Sequence, residues 1–251
     1  EFRDVSFRYP GAAADELEHI SFKAEKGQTL AIIGATGSGK TTLASLIPRF
    51  YDATAGTVLV DGLDVREYTF DALYNKLGYV TQKAVLFSGT VEDNVFFGQS
   101  AAEKTDASLQ AALSLSQAAE FVDKYPEKAA HPIAQLGRNV SGGQKQRLSI
   151  ARALARTPEI LIFDDSFSAL DYKTDATLRE GLAKELPGTT KIIVAQRIST
   201  IRNADQILVL DRGEIAGLGT HDELMISCPV YREIAMSQLS EEELKKGGAS
   251  K

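Results

Sequence analysis

Alternating apolar and polar side chains mark the first part of the chain. Residues 1–9 and 19–25 follow this pattern, which predicts two half-buried antiparallel strands joined by a loop over 10–18. TVLVDG (57–62) predicts a further strand. QILVLDRGEIAG (206–217) predicts a hairpin that turns at 211–213. The N-terminal part of the chain therefore has the character of an antiparallel β subdomain.

A second pattern consists of short runs that are apolar at almost every position. Such runs are typical of strands buried on both faces of a parallel sheet, because helices cover both of its faces. Each run is followed by a loop and a helical pattern, as in βα units. The three runs are TLAIIG (29–34), EILIFDD (159–165) and KIIVAQ (191–196).

The middle of the chain has a helical pattern. Residues 84–157 contain almost no β-branched runs and are rich in Ala, Leu, Ser and Gln, and helices are predicted over 103–118, 120–125 and 142–156. We therefore predict an α/β core that is interrupted by an inserted helical subdomain. The predicted core spans 1–83 and 158–238, the insertion 84–157, and a flexible tail 239–251.

Composition limits the classes of function. With 251 residues, 43% of them apolar, the chain can bury a large core, while its net charge of −6 argues against a general nucleic-acid binder. The single cysteine, Cys228, excludes an intrachain disulfide and a cysteine metal cluster. We find no apolar run long enough to span a bilayer and no signal peptide. Because Glu1 already lies in a strand pattern, we expect the chain to be a piece of a longer polypeptide.

A phosphate-binding loop is indicated by GATGSGKTT (34–42), which follows the strand TLAIIG and fits G-x-x-x-x-G-K-[ST]. Backbone N–H groups of such a loop can surround a phosphate, and the following helix adds the positive end of its dipole. Lys40 is predicted to reach the β- and γ-phosphates, and the Thr41 hydroxyl to bind Mg²⁺. The alternative is a glycine-rich turn before a helix. The residues predicted to contact ATP here are Gly34, Thr36, Gly37, Ser38, Gly39, Lys40, Thr41 and Thr42.

Two aspartates end the buried run LIFDD. Ligands of open α/β sheets bind beyond the carboxyl ends of the strands, so Asp164 is placed to hold Mg²⁺ through water. Asp165, one residue later, is a candidate for polarising an attacking water. Taken alone, Asp165 is also consistent with a helix cap.

A second anion site is indicated by VSGGQKQRLSIARAL (140–154). Ser141, Gly142 and Gly143 open a helix whose free N–H groups would point outward, followed by Gln144. One chain rarely needs two triphosphate sites, but a head-to-tail dimer would use both, since each phosphate loop would face the other chain's SGGQ. Read alone, the segment is also consistent with an ordinary glycine-containing helix start.

Together these motifs strongly resemble the nucleotide-binding domain of ABC transporters of the exporter type, over residues 1–238. The resemblance implies a P-loop NTPase core, ATP and Mg²⁺ as cofactors, and a place at the cytoplasmic face of a membrane. It implies that Tyr9 stacks on adenine and that Gln82 lies near Mg²⁺ and senses the γ-phosphate. Asp171, in SALD, would face the partner domain, and residues 83–98 would receive a coupling helix of a transmembrane domain. Without the resemblance, Tyr9 and Gln82 would be ordinary strand-edge residues.

Two positions depart from the family pattern. Asp165 stands where the family usually has glutamate, and Gln196, in VAQRIST, stands where it has a histidine. His19, His131 and His221 do not fit that position and are interpreted as ordinary loop or surface residues. Because a shorter carboxylate and a non-titratable amide both weaken a general base, we expect ATP binding to survive and turnover to fall. The alternative is tolerated drift, with a water that bridges the missing methylene.

The two departures, beside an intact SGGQ, suggest one half of a heterodimer. The phosphate loop would form the degenerate ATP site, and SGGQ would complete the partner's competent site. The alternatives are a regulatory nucleotide-binding module that does not hydrolyse ATP, and a homodimeric ATPase with slow turnover. A soluble ABC-type ATPase of DNA repair or translation is disfavoured, because basic surfaces, coiled-coil insertions and a tandem cassette are not seen in the sequence.

Overall fold

The computed structural model describes residues 1–99 and 104–239, so the predicted tail from residue 240 lies outside the described residues. The strands are β1 Phe2–Phe7, β2 Leu17–Phe22, β3 Thr29–Ile33, β4 Ala55–Val60, β5 Leu63–Asp64, β6 Leu77–Val80, β7 Gly89–Thr90, β8 Pro132–Ile133, β9 Ile160–Asp164, β10 Thr190–Val194, β11 Gln206–Asp211 and β12 Glu214–Gly219.

The α-helices are, in chain order, α1 Lys40–Leu46, α2 Phe70–Lys76, α3 Val91–Val95, α4 Asp106–Leu115, α5 Ala119–Val122, α6 Gly142–Ala155, α7 Tyr172–Glu185, α8 Ile198–Ile201, α9 His221–Ser227 and α10 Pro229–Gln238. Within the described residues, no helix has the length and apolarity needed to cross a membrane.

The chain divides into two compact units. Glu1–Tyr74 and the chain from Thr190 onward form the first unit, and Asn75–Thr189 form the second. The predicted insertion, 84–157, lies wholly inside the second unit. That unit also contains the strands β6 and β9 and the helix α7.

In the first unit, an antiparallel sheet has the strand order β2-β1-β4-β5. Its pairing is not perfectly regular, because Asp4 and His19 have positive φ values of 48° and 52° and the β1–β2 register shifts around them. Phe2 and Phe22 still face each other, with ring centroids 4.6 Å apart. The two predicted strands are therefore present, but bulges interrupt their simple alternation, and β2 begins at Leu17, inside the predicted loop.

The parallel part of the first unit is made of β10, β3 and β11, with β3 in the middle. β12 pairs antiparallel with β11. The predicted hairpin turn is present, and Arg212 and Gly213 both have positive φ, as a type I′ turn requires. The continuously apolar sequences of β3 and β11 are explained by burial on both faces of this sheet.

In the second unit, β6 and β9 form a parallel pair. Of the predicted helices, 142–156 corresponds to α6, 103–118 to the shorter α4, and 120–125 to the single turn α5. The start of the predicted helix at residue 103 lies outside the described residues. β6 was not predicted, because LGYV is short and contains a glycine.

The last two helices of the described chain are joined by a buried polar pair. His221 was predicted to be a loop or surface residue, which is wrong: it opens α9, is buried, and its Nδ1 lies 2.7 Å from the hydroxyl of Tyr231 on α10. Tyr231 is itself fully buried. Burial lowers the pKa of His221, so the neutral imidazole is the form that fits this contact.

We predict that acidification destabilises the fold through His221. Because the pKa of His221 is lowered in the folded protein, the unfolded chain binds its proton more readily, and stability falls as the pH drops through the ordinary histidine pKa of about 6.5. His221→Gln should make this decline shallower between about pH 7.5 and 5.5. Chemical denaturation at several pH values measures the slope.

His19 provides the matched control for this prediction. Its hydrogen bond with Asp4 raises its pKa, so His19 contributes stability below the ordinary histidine pKa and loses it as the pH rises. His19→Gln should therefore make the acidic decline steeper. An unchanged slope in His221→Gln would contradict the assignment.

Candidate functional site

The predicted phosphate loop connects β3 to α1 in the first unit. β3 is buried and ends at Ile33, and α1 begins at Lys40. Gly39 immediately precedes the helix with φ of 96°, and a Cβ at this position would lie 2.8 Å from Cδ2 of Leu17. Only glycine combines this backbone conformation with this close approach. The turn therefore fixes the direction in which α1 leaves the loop.

The Lys40 side chain folds back over this loop. Its Nζ donates to the carbonyl oxygens of Gly34 and Ala35 at 2.9 and 2.7 Å. The ammonium group thus lies against the loop that would surround a phosphate. Of the other predicted contact residues, Thr36, Gly37 and Thr41 are exposed, and Ser38 is buried.

Tyr9 and Thr42 are brought together in the same unit. Their hydroxyl oxygens lie 2.8 Å apart, and Thr42 is buried at the start of α1. The Tyr9 ring makes edge contacts with Phe7 and Tyr51, with ring centroids 4.8 and 5.3 Å apart. An aromatic cluster is therefore fixed to the helix that follows the phosphate loop. Tyr51 is its exposed member and was missed in the sequence.

In the second unit, the two aspartates at the end of β9 are 5% and 6% exposed, Asp164 and Asp165 respectively. The hydroxyl of Tyr79 donates to Oδ2 of Asp164 at 3.2 Å. Burial and the neighbouring carboxylate raise the pKa of Tyr79, so its hydroxyl keeps the proton that it donates. Asp164 therefore has a polar partner from the adjacent strand β6.

Asp165 combines a special backbone with a specific contact. Its φ and ψ of 47° and 25° are left-handed, a conformation that aspartate tolerates better than most residues because its short side chain can bond locally. Nε2 of Gln82 donates to its Oδ2 at 2.8 Å. The structure thus joins two of the predicted catalytic residues directly.

The segment that carries Gln82 is held by α6, the signature helix that begins at the SGGQ segment. Gln146 of α6 is buried, and its Nε2 donates to the carbonyl oxygen of Thr81 at 3.1 Å. Gln146 was not among the predicted site residues. It immediately follows the SGGQK segment, but its partner lies 65 positions away in the sequence.

The SGGQ segment forms the N-terminus of α6. Ser141 is the N-cap, its Oγ accepts from the N–H of Gln144 at 3.3 Å, and Gln144 Oε1 accepts from the N–H of Ser141 at 2.9 Å. This capping box satisfies the Gln144 donor within the chain, so the Gln144 N–H is not among the free N–H groups expected to point outward at this helix start. The candidates for binding an outside anion are then the N–H groups of Gly142 and Gly143, because the first N–H groups of a helix have no acceptor within it.

Gly142 faces open space. Among the described residues, no heavy atom would lie within 4 Å of a Cβ added there, apart from its chain neighbours and its own helix backbone. Its φ is not in the left-handed region. Neither the backbone conformation nor packing against the described part of the chain therefore requires a glycine at this position.

Gln196 and Asp171 complete the predicted set. Gln196 is exposed, two residues beyond the end of β10, and the preceding Ala195 N–H donates to Ile32 of β3 at 3.1 Å. Asp171 caps α7 by accepting from the N–H and hydroxyl of Thr174. These bonds lower the pKa of Asp171 and keep it ionised.

The predicted docking segment, residues 83–98, contains an exposed aromatic pair. Phe87 and Phe97 stack with centroids 4.3 Å apart and are 43% and 50% exposed. Arg152 of α6 lies 5.4 and 5.5 Å from the two rings and donates to the carbonyl oxygens of Val85 and Asn94. Arg152 was also missed, although a charged residue within the largely apolar SIARAL segment is a detectable signal.

A family model described as ABC transporter matches residues 17–168. An ABC transporter ATP-binding protein of Mycobacterium tuberculosis is 49% identical over 235 residues, covering 93% of this chain and 40% of the relative. The ATP-dependent lipid A-core flippase of Aromatoleum aromaticum is 42% identical over 242 residues, covering 96% of this chain and 40% of the relative.

The fold is also found among solved structures. A bacterial Atm1-family ABC exporter with ATP bound matches with a TM-score of 0.90 and 36% identity, over 96% of this chain and 42% of that chain. This chain thus spans about two fifths of the length of each of these three proteins. The phosphate loop, the signature helix and these likenesses place the chain in the ABC transporter family, as an ATP-binding domain with the P-loop NTPase fold.

Proposed function

We propose that this chain couples the binding and hydrolysis of ATP to export of a substrate across a membrane. The observation that carries ATP binding is the Lys40 ammonium held 2.9 and 2.7 Å from the carbonyl oxygens of a glycine-rich loop at a helix start. Relatives named as a flippase and as multidrug resistance proteins support the export role. The domain would lie at the cytoplasmic face, tethered through a transmembrane domain.

The residues proposed as Mg²⁺ ligands carry donor atoms of the kind that this ion takes. The hydroxyl of Thr41, the amide oxygen of Gln82 and, through water, the carboxylate of Asp164 are hard oxygen ligands of the kind that Mg²⁺ prefers. Within residues 1–99 and 104–239, no cluster of three or more His, Cys, Asp and Glu could hold a metal ion. This agrees with Mg²⁺ that takes one or two carboxylates and otherwise phosphates and water. The ion would neutralise charge on the transferring phosphoryl group.

We propose that hydrolysis at this chain's own phosphate loop is slow. A general base must lie roughly 2.6–3.2 Å from the proton that it removes, and aspartate is shorter than glutamate by one carbon–carbon bond, about 1.5 Å. A displacement near 1 Å can cost about 100-fold in rate. Asp165 already accepts a hydrogen bond from Gln82, and Gln196 cannot take up a proton.

The backbone of Asp165 favours a second candidate, a homodimeric ABC ATPase with slow turnover. Because residue 165 is left-handed, aspartate is a better conformational choice there than glutamate. The substitution would then be a consequence of local folding, and both sites of the dimer would be equivalent.

The head-to-tail partner is supported by Gly142. Glycine is needed where another backbone or a ligand approaches closely, and among residues 1–99 and 104–239 no atom outside the glycine's neighbours and its own helix backbone makes such an approach. The remaining donors of Gly142 and Gly143 lie at the positive end of α6, where an anionic phosphate is stabilised. We propose that this helix start meets the nucleotide of a second ATP-binding domain, which in the heterodimer is a different chain.

The stacked pair Phe87–Phe97 supports the proposed contact with a transmembrane domain. Two large aromatic side chains remain about half exposed, while the Arg152 guanidinium lies over both rings and the Asn94 amide donates to the backbone carbonyl oxygen of Phe87. Exposed apolar surface that is rigidly supported is typical of a docking site. The coupling helices of the transmembrane domain would dock near residues 83–98.

One prediction tests the slow site. The double variant Asp165→Glu with Gln196→His should raise kcat for ATP hydrolysis by roughly 10- to 100-fold, because it restores the longer base and a titratable group. Steady-state ATPase assays with Mg²⁺ measure kcat, and adding Lys40→Ala to the double variant is the control that should abolish the gain. Brisk turnover by the unmodified chain, lost in Asp165→Asn, would contradict the degenerate site.

The single variant Asp165→Glu, measured beside the double variant, separates the two candidates. A left-handed glutamate should lower the free energy of unfolding by about 1 kcal/mol. If stability falls while the double variant shows no gain in kcat, aspartate is a conformational choice and the second candidate is favoured. Denaturant titration together with the ATPase assay gives both quantities.

A further prediction concerns Gly142. Asp165→Asn should preserve bound ATP and allow a dimer to accumulate at high concentration, and Gly142→Leu in that background should abolish it without loss of fold stability. Sedimentation with Mg-ATP measures the dimer. Gly188→Leu is the matched control, since Gly188 also faces open space among the described residues but lies far from SGGQ in the sequence. Equal dimerisation of both variants would argue against the interface.

A further inference from the structure

The loop that carries Gln196 is hydrogen-bonded by a residue near the end of the described chain. Nε2 of Gln238 donates to the carbonyl oxygen of Gln196 at 2.7 Å, and Oε1 of the same side chain accepts from the N–H of Ile198 at 2.9 Å. One primary amide thus uses its donor and its acceptor on two residues that flank Arg197. A contact of this kind fixes the backbone in two directions at once.

The helix α8 depends on this contact for its N-terminus. The first N–H groups of a helix need acceptors from outside it, usually from a short polar N-cap side chain. The N-cap of α8 is Arg197, and a guanidinium group has donors but no acceptor. Gln238 supplies an acceptor to the first N–H of the helix from a position 40 residues away.

Gln238 is held in place by a buried helix face. Tyr231 and Ala235 of α10 are both fully buried, and Gln238 follows them at the spacing that keeps all three on one side of the helix. The Tyr231 hydroxyl is tied to His221 of α9. The amide at the end of α10 therefore extends from an anchored helix, although Gln238 itself is exposed.

We infer that Gln238 is a positioning residue that sets the backbone of the switch loop, residues 195–198, and so the direction of the Gln196 side chain. On one side the loop is held by the bond from Ala195 to Ile32 of β3, and on the other by Gln238. The effect on hydrolysis rests on the proposed function, in which Gln196 takes the place of the family's histidine at the site of hydrolysis. The positioning of the loop by Gln238 does not rest on the proposed function.

The first readout is independent of ATP. Gln238→Ala should speed amide hydrogen exchange at Ile198 by about 3- to 10-fold, the range expected when one net hydrogen bond of roughly 0.5–1.5 kcal/mol is lost. Gln238→Glu keeps an acceptor for Ile198 but replaces the donor to Gln196 with a carboxylate, so most of the protection of Ile198 should return. Met236→Ala, at a 61% exposed position of the same helix, is the control and should leave the amide hydrogen exchange at Ile198 unchanged.

The second readout is catalytic. Gln238→Ala and Gln238→Glu should both lower kcat by about 3- to 10-fold and leave KM within about twofold, because a misdirected Gln196 affects turnover and not ATP binding. The assay is run in the unmodified chain and in the Asp165→Glu, Gln196→His background, whose turnover we expect to be higher. A merely structural role of Gln238 would lower stability, and the loss of kcat would then disappear under conditions in which both variants are fully folded.

The outcomes separate the two claims. Unchanged exchange at Ile198 in Gln238→Ala would overturn the positioning role, and so would faster exchange with unchanged kcat in an active background. If neither background hydrolyses ATP, the proposed function has failed. The exchange result alone then supports or overturns the positioning of the loop by Gln238.

Discussion

A strand that is buried on both faces can carry a polar side chain only where it ends. β3, β9 and β10 obey this constraint: their middles are apolar, and the chemistry begins within two residues of their carboxyl ends. The phosphate loop follows β3, Asp164 and Asp165 end β9, and Gln196 follows β10. Folding and function therefore use the same boundary, because the position that tolerates polarity is also the position that a ligand can reach.

Helix starts impose the second requirement, since each must find acceptors for its first N–H groups. α6 meets it with Ser141, α7 with Asp171 and α8 with an amide from α10. Ser141, as part of a second anion-binding segment, and Asp171, from the family resemblance, were predicted to face a partner. Their capping bonds show that both residues also build the helices on which they stand, so a substitution there changes local folding as well as any contact with a second domain.

Much of the fold could be predicted, because hydrophobic periodicity is a local signal. β3, β9, β10 and the β11–β12 hairpin follow directly from apolar runs, and the phosphate loop follows from glycine and lysine spacing. The bulges at Asp4 and His19, the left-handed Asp165 and the strand β6 leave no comparable local pattern. Gln146 and Gln238 are harder still, because each bonds to a segment at least 40 residues away and neither looks unusual among its neighbours.

The helix α6 has one further consequence. Gly142 begins it and Arg152 lies ten residues later, roughly 15 Å along the axis at 1.5 Å per residue. An α-helix is stiff along its axis, so a small axial displacement at one end is transmitted to the other end almost undiminished. The aromatic pair that packs on Arg152 and the glycines at the helix start are thus connected by one rigid helix.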